Sequence, residues 1–554
     1  MSIWSTIASK IQEMIKKMIG TRTIEQTLHV APVISSEMEK AIQLWSDMYK
    51  NDAPWLKEPT YEDPTRVVSL GLPAMIASEK ARMALLEFKS EITTPTEEVE
   101  VPNPDYTEPV PDMFGNIVPS AQPPVITEDK PVGPTERAEF LNDQYTKLKD
   151  QLRRQLEYAI AKGGMVIKPY VVQNSDKTFS IEYDFVQADN FFPLAFNASG
   201  DITEAAFVDT KFEKNIVYRR LEYHKWEGKS VHVINKAFKS TNNQIQGDLS
   251  GMDLGQEVPL SDVPEWKDLA PDTHITPVEQ PLFAYFRMPQ ANTVDTLSPL
   301  GVSGYSRATS LIKDADMQYS RLLWEYEAGE MAIDIDRDAL QFMEEGTDRD
   351  GKTVGRSVMP EMQRRLFRKI DLGTGDTYQP YAPSLRDANY NQGLNSILMR
   401  IEDVCAISRG SLSDVSAEAR TATEIKILKQ RTYSENLEIQ HSLEDTLKKV
   451  VYIADVYCDL YQITPKGEYD VSFEWDDSVI VDVDAELSKR LTLMQNGLAS
   501  KLEVRQWYFG ETERQAQEAL LKIEDENRQN MENELMMQSN QFEREKKEEE
   551  EEEV

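Results

Sequence analysis

"GSLSDVSAEARTATEIKILKQRTYSENLEIQ", residues 410–440, decides how this chain is read. It opens as a loop of Ser, Asp and Ala and passes directly into a helical pattern. No Gly or Pro occurs between Gly410 and Pro465, so nothing forces a break before Tyr461. Leu443, Leu447, Val450, Ala454, Tyr457 and Tyr461 step by four and three, the spacing of one apolar helix face. At 1.5 Å per residue the helix reaches roughly 60 Å. A helix of that length is expected to cross a larger assembly. The loop before it suits either catalysis or contact with a partner that must not be gripped.

Working outward, residues 302–330 form a second helical pattern. Tyr305, Ala308, Ile312, Ala315, Tyr319, Leu322 and Tyr326 give one apolar seam about 40 Å long. Residues 331–383 read as short strands and turns, with glycines at 346, 351, 355, 373 and 375. A helix resumes over 384–405, with Leu394, Ile397, Ile401 and Val404 on one side. A small non-helical module therefore separates two helices. The seams are expected to lie against copies of the chain around an opening.

Residues 1–90 read as helices. "ISSEMEKAIQLWSDMYKND" carries a Ser N-cap with Glu three residues on. The first twenty residues place Ile3, Ile7, Ile11, Met14, Ile15 and Met18 at helical spacing, which fits a docking helix or a membrane-surface helix. They lack the pattern of a signal peptide. Residues 91–134 hold ten of the 28 prolines and read as an exposed or disordered insertion. A helix over 135–164 ends at paired glycines. Five strands follow, "MVIKPYVV", "FSIEYDFV", "EAAFVDTKF", "NIVYRRLEYHKW" and "KSVHVINKAF", the last two joined as a hairpin at Glu227–Gly228. Residues 239–280 look loop-rich. After the long helix come one or two strands over 468–481, short helices ending at Gly497 and Gly510, one more helix, and a tail with six consecutive glutamates. The fold class is α+β, mainly helical.

Composition excludes several functions. The chain has 554 residues and a formal charge of −35, unlike a high-affinity reader of DNA sequence. No window nears the ~18 apolar residues of a membrane span. The two cysteines, Cys405 and Cys458, fit a reducing compartment rather than a disulfide scaffold. Five scattered histidines show no zinc-type spacing; His224 and His232 flank the hairpin turn and read as cross-strand surface residues. "EGKS" at 227–230 has Tyr223 where a P-loop needs glycine. Asp334, Asp336, Asp338 and Glu345 match EF-hand positions 1, 3, 5 and 12, but Ala339 replaces the turn glycine; a solvated acidic turn is the plainer reading. No catalytic, metal or cofactor set emerges. An enzyme would need a carboxylate site that carries no motif.

The order of elements then becomes informative: α/β body, helix, strand-rich module, helix, small-residue loop, very long helix, helical cap. With "PLGVSGYSRATSLIKDADMQYSRLLWEYEAGE" (299–330), "ISRGSLSDVSAEARTATEIKILKQRTYSENLEIQHSLEDTL" (407–447) and "DAELSKRLTLMQNGLASKLEVRQWYFGETERQAQEALLKIEDE" (484–526), it resembles the portal, or head-to-tail connector, proteins of tailed double-stranded DNA bacteriophages, siphophage type. The resemblance covers most of residues 1–530; the insertion and the glutamate tail depart from it.

It implies a ring of subunits, usually twelve, at one capsid vertex, with no catalysis and no cofactor. Its partners would be the terminase large subunit, a head-tail adaptor, major capsid and scaffold proteins, and DNA passing non-specifically, with no membrane. By position, residues 1–301 would begin the wing, 302–330 and 384–405 would be the stem, and 331–383 the clip. Residues 406–420 would be the tunnel loop, 421–483 the rest of the wing, 484–535 the crown and 536–554 an acidic tail. DNA-facing candidates are Ser411, Ser413, Asp414, Ser416, Ala417 and Arg420. Lys426, Lys429 and Arg431 are candidate phosphate contacts, or they solvate the helix and pair between subunits. Arg364, Arg365, Arg368 and Lys369 form a basic patch, placed against DNA or terminase, or against the acidic 334–350 stretch. The competing reading is a coiled-coil scaffold or adaptor protein unrelated to phage.

Overall fold

The computed structural model describes residues 23–56, 66–86, 88–102, 125–214, 216–240, 254–336, 341–347, 350–351, 353–358, 367–370, 378–414, 422–475, 483–511, 515–517, 519–523 and 526–528. It is mixed α and β and divides into two compact units, Met1–Trp475 and Asp476–Val554.

In the first unit, α1 (Ile24–Leu28), α2 (Ser36–Tyr49) and α3 (Leu72–Ala84) precede strand β1 (Lys89–Thr93). The N-cap of α2 is Ser35, which accepts from the Met38 amide; it is not Ser36, the serine with Glu39 three residues on, so the expected Ser–Glu capping pair is shifted by one residue. The proline-rich stretch is structured at both ends. β2 (Thr96–Pro102) pairs antiparallel with β3 (Val125–Pro131), since alternating Val, Thr and Glu suit a ribbon despite the flanking prolines. Its middle, 103–124, lies outside the described residues, as do the N-terminal twenty and the glutamate tail.

The centre of the body is α4 (Glu136–Lys162). Ala138, Leu141, Tyr145, Leu148, Leu152, Leu156 and Ala159 are all buried along one stripe. This stripe packs on α2, α3 and β1, on β4 (Gly164–Gln173) and β5 (Phe179–Gln187), and on the long helix α7 (Ala422–Leu460). The helix stops at Gly163, whose φ of 96° suits only glycine. A Cβ there would sit 2.6 Å from the Gly301 carbonyl oxygen, and one on Gly301 would sit 2.1 Å from the Gly163 oxygen. Two glycines thus let two backbones touch. This contact explains why helix α5 (Thr309–Ala328) starts later than residue 302: "GVSG" is used for close backbone packing against the end of α4, where Gly304 N donates to Ile160 O.

The main sheet has the order β10–β9–β8–β7–β6, made by β6 (Phe191–Phe196), β7 (Ile202–Glu213), β8 (Ile216–Glu227), β9 (Ser230–Ser240) and β10 (Gln256–Val258), with β11 (Asp272–Ile275) also on β9. The hairpin at Glu227–Gly228 forms as expected. β6 escaped sequence reading because Pro193 interrupts it; proline is tolerated here on the sheet's edge. β10 and β11 fall in the stretch expected to be loop. β12 (Ala284–Arg287) joins β4 and β5 in a second sheet. His224 corrects another expectation. It is buried, 2.7 Å from a Glu222 oxygen, whereas His232 lies near the surface.

α5 and α6 (Asp387–Val404) pack on each other. Glu325 accepts both Arg386 guanidinium bonds, at 3.1 and 2.7 Å, while Gly393 lies beside Gln318, so the two run antiparallel. Between them, β13 (Ala332–Asp336) lies parallel to β16 (Phe367–Ile370) and antiparallel to β17 (Tyr378–Tyr381). β14 (Gln341–Thr347) pairs with β15 (Thr353–Val358). Of the residues at EF-hand spacing, Asp334 and Asp336 are on β13 and Glu345 is on β14, while Asp338 lies outside the described residues.

The apolar seams close mainly on the chain itself, contrary to expectation. Tyr305, Ala308, Ile312, Ala315 and Leu322 are buried, as are Leu394, Ile401, Leu443, Leu447, Val450 and Ala454. A body this large supplies enough apolar surface to cover them. Exposed apolar groups include Trp324 62%, Met331 59% and Tyr378 65%, at the far end of the helix pair and in its small sheets.

α7 and α4 are locked by Arg137, which is 1% exposed. Its guanidinium donates to Asp455 at 2.5 Å, Asp459 at 2.8 Å and the carbonyls of Thr464 and Pro465 at 2.9 and 3.0 Å. β18 (Asp470–Glu474) then pairs with β1. In the second unit, α8 (Val483–Gln495) carries Arg490, which stacks over Trp507 of α9 (Lys501–Phe509). Ser500 and Glu503 form the capping box of α9, and Gly510 ends it with φ 66°.

Two outcomes are expected. Arg137→Met leaves two carboxylates and several carbonyls without their donor, and should cost about 3–5 kcal/mol in chemical denaturation. Burial alone would raise the Glu222 carboxyl, but Lys168, His224 and Arg220 outweigh it and hold it well below the usual range. Its folded value lies under its unfolded one, so its stabilisation is present above about pH 4.5 and is lost as pH falls further. Glu222→Gln should therefore weaken the acid dependence of the melting temperature; an unchanged acid limb would contradict this assignment.

Candidate functional site

The quoted loop begins where α6 ends. Two acidic residues, Glu402 and Asp403, occupy the last turn of α6, where the helix dipole disfavours negative charge. Both are compensated by the loop. Glu402 is fully buried. Its Oε1 accepts the amides of Gly410, Leu412 and Ser413 at 3.1, 2.7 and 2.9 Å, and its Oε2 accepts the Ser413 hydroxyl at 2.7 Å. A carboxylate that takes three N–H groups and one O–H fixes the path of the backbone around it. Asp403 takes a two-bond contact from Arg409 at 3.0 and 2.5 Å. Asn395 accepts from the Asp414 amide at 2.8 Å.

The start of α7 is tied to the same corner. Arg431 Nη1 donates to the Asp403 carbonyl at 3.1 Å, which satisfies a free group at the C-terminus of α6. Ser408 and Thr432 share a hydroxyl bond of 3.2 Å. Lys80 pairs with Glu435 in a largely buried contact, and Gln290 donates to the same carboxylate at 2.6 Å. From Asn436 onward α7 buries its stripe in the body. Cys405, the residue after α6, is buried, and burial pushes its thiol up to about 12. Burial likewise pushes Cys458 up to about 11. Neither thiol is available as a nucleophile near neutral pH.

The sequence candidates sort accordingly. Ser411 and Asp414 are exposed. Ser413 is buried on Glu402, which takes it out of the exposed set. Ser416, Ala417 and Arg420 lie outside the described residues, and α7 passes through Lys426 and Lys429 with their side chains undescribed. Arg431 is a capping group of α6 before it is anything else. In the basic patch, Arg368 donates to both oxygens of Asp334 at 2.8 and 3.1 Å and stacks over Tyr381 at 4.5 Å. The acidic stretch therefore partners this arginine within one chain. Lys369 is on β16 with its side chain undescribed; Arg364 and Arg365 are outside the described residues. Sequence reading missed Glu402 altogether. The signal was a pair of acids in the last turn of a helix that leads into a loop rich in hydroxyls and free amides.

Residues 37–533, nearly the whole chain, match the family described as phage portal protein, SPP1 Gp6-like. The chain belongs to this family of phage portal proteins. The matched span contains all three stretches on which the resemblance rested, and it includes the loop and both helices that hold it. The portal family is structural rather than enzymatic. This replaces the scaffold alternative with a phage role. No curated protein matches the chain. Among the described residues no helix is long and apolar enough to cross a membrane.

Glu402→Ala strips the acceptor from four donors of the loop, each worth about 1–3 kcal/mol when buried and unpaired. Amide exchange at Gly410, Leu412 and Ser413 should accelerate strongly, while Glu402→Gln, which keeps one carbonyl oxygen, should retain part of the protection. Equal protection in all three proteins would show that the carboxylate does not hold the loop.

Proposed function

We propose that the chain assembles as a ring, with twelve copies as the expected number, at one vertex of a phage capsid. The ring encloses a channel through which double-stranded DNA is packaged and ejected, and it offers docking surfaces to terminase and a head-tail adaptor. The observation that carries this reading is the portal-family match over residues 37–533. Two features of the chain support it. The projecting helix pair and its sheets leave Trp324, Met331 and Tyr378 uncovered, and the C-terminal unit leaves Leu498 75%, Phe509 59% and Leu521 62% exposed. Apolar groups left open on one chain suit contacts that repeat from copy to copy and close by rotation.

In this reading the loop over 406–420 faces the channel. Ser411, Asp414, Ser416 and Ala417 are small or acidic and approach a duplex without strong attachment. DNA carries one negative charge per ~1.7 Å, and a strongly basic wall would act as a brake. Twelve chains of −35 total about −420, which opposes sticking. Glu402 holds the root of the loop firm through Gly410, Leu412 and Ser413. Arg420, Lys426 and Lys429 would supply weak phosphate contacts. Arg364 and Arg365 would face DNA or terminase near the channel exit, with Arg368 engaged on Asp334 and Lys369 beside it in the strand. Residues 484–535 would form the crown.

Electron microscopy of the purified assembly should show rings with a central opening, and native mass about 760 kDa for twelve chains of 63.4 kDa. Particles formed in the presence of capsid proteins that lack any annular vertex structure would overturn the reading. Reversing the charge of Arg364 and Arg365 should impair DNA packaging while rings still form; normal packaging in that variant would end the assignment of the basic patch.

A further inference from the structure

On the edge of the main sheet, far in sequence from the loop, β11 runs antiparallel to β9. His274 stands directly opposite His232, and Asp272 lies two residues before His274. Directly opposed residues share a face, and so do residues two apart, so all three side chains project from one side of the ribbon. They converge. His232 Nε2 is 2.8 Å from Asp272 Oδ1, and His274 Nε2 is 3.7 Å from the same oxygen. The two imidazole rings stack with centroids 4.0 Å apart and planes within 11°. One ligand atom from each residue lies within 4.8 Å of the others.

We propose that His232, His274 and Asp272 form a site for a divalent transition-metal ion of the Zn²⁺ type. Two imidazole nitrogens and one carboxylate oxygen are the donors such ions take, while Ca²⁺ and Mg²⁺ ask for oxygen alone. Bonds of about 2.0–2.1 Å in a tetrahedron separate neighbouring donors by about 3.3 Å, and the two N···O distances here fall on either side of that value. The imidazoles stack with nearly parallel planes, so binding turns at least one ring out of the stack until both in-plane lone pairs meet at the ion, a movement that side chains on an exposed edge are free to make. His232 is 27% exposed, Asp272 60% and His274 65%, so an ion can enter and water can complete its shell. Sequence spacing hid the site, since 39 residues separate His232 from Asp272 and only strand pairing unites them.

The ion would fasten a weak edge. β11 has four residues, and among the described residues its strand partner is β9 alone. The segment before it carries Val263 and Trp266, which with Tyr218 and Ala237 form a small second core apart from the main one. A metal bridge from β11 to β9 ties the end of that segment to the sheet and stabilises the folded form by mass action.

The test is titration of the full chain with ZnCl₂ at pH 7.5, followed by calorimetry and by thermal melting. The wild type should bind one more Zn²⁺ per chain than His274→Ala, with at least a ten-fold gap in affinity, and His232→Gln should behave like His274→Ala. His441→Ala, an exposed histidine elsewhere, should match the wild type. Zn²⁺ should raise the melting temperature of the wild type and of His441→Ala only. Weak binding by surface carboxylates is common to all four proteins and cancels in the comparison. Superimposable isotherms for the wild type and His274→Ala would overturn the site.

Discussion

The body of this protein is arranged around the apolar stripe of α4. A helix of 27 residues cannot be stable in water by propensity alone and must bury a face along its length. Here that face receives two helices from before it in the chain, two strands from just after it, and α7 from about 300 residues later. Each partner is then fixed at a further point. Arg137 fastens the C-terminal end of α7, Gly163 and Gly301 bring the backbone into contact at the end of α4, and the Asp316 carboxylate accepts both the Trp55 indole and the Leu70 amide. The remaining elements inherit their positions from this set.

The loop before α7 gains its character from that rigidity. α6 and α7 are each held by packing, so the short connection between them has fixed ends. Its backbone would leave several amides without partners, and its helix end would leave two carboxylates against the dipole. These two costs cancel one another through Glu402 and Asp403. The loop therefore leaves α6 along a defined path as far as Asp414.

Electrostatics divides the molecule in a similar way. The chain is strongly acidic, yet the basic residues at key points are consumed internally: Arg137 by two aspartates, Arg368 by Asp334, Arg386 by Glu325, Arg431 by a helix carbonyl. Exposed apolar groups occur in the helix pair, in the C-terminal unit and on the body itself, where Leu297 is 87% exposed.

Much of this was legible in the residues. The spacing of Leu443, Leu447, Val450 and Ala454, with no Gly or Pro to interrupt it, determined a long helix, because helical periodicity is a local property. The glycines after α4 and α9 and the hairpin at Gly228 were equally local. Only the tertiary structure decided what those faces touch. It turned the seams inward, because a large body offers its own apolar cover, and it started α5 late, because "GVSG" meets the end of α4. It placed Glu402 under the loop and set His274 against His232. Each of these depends on chain segments far apart in sequence, and periodicity carries no information about which distant backbone arrives beside it.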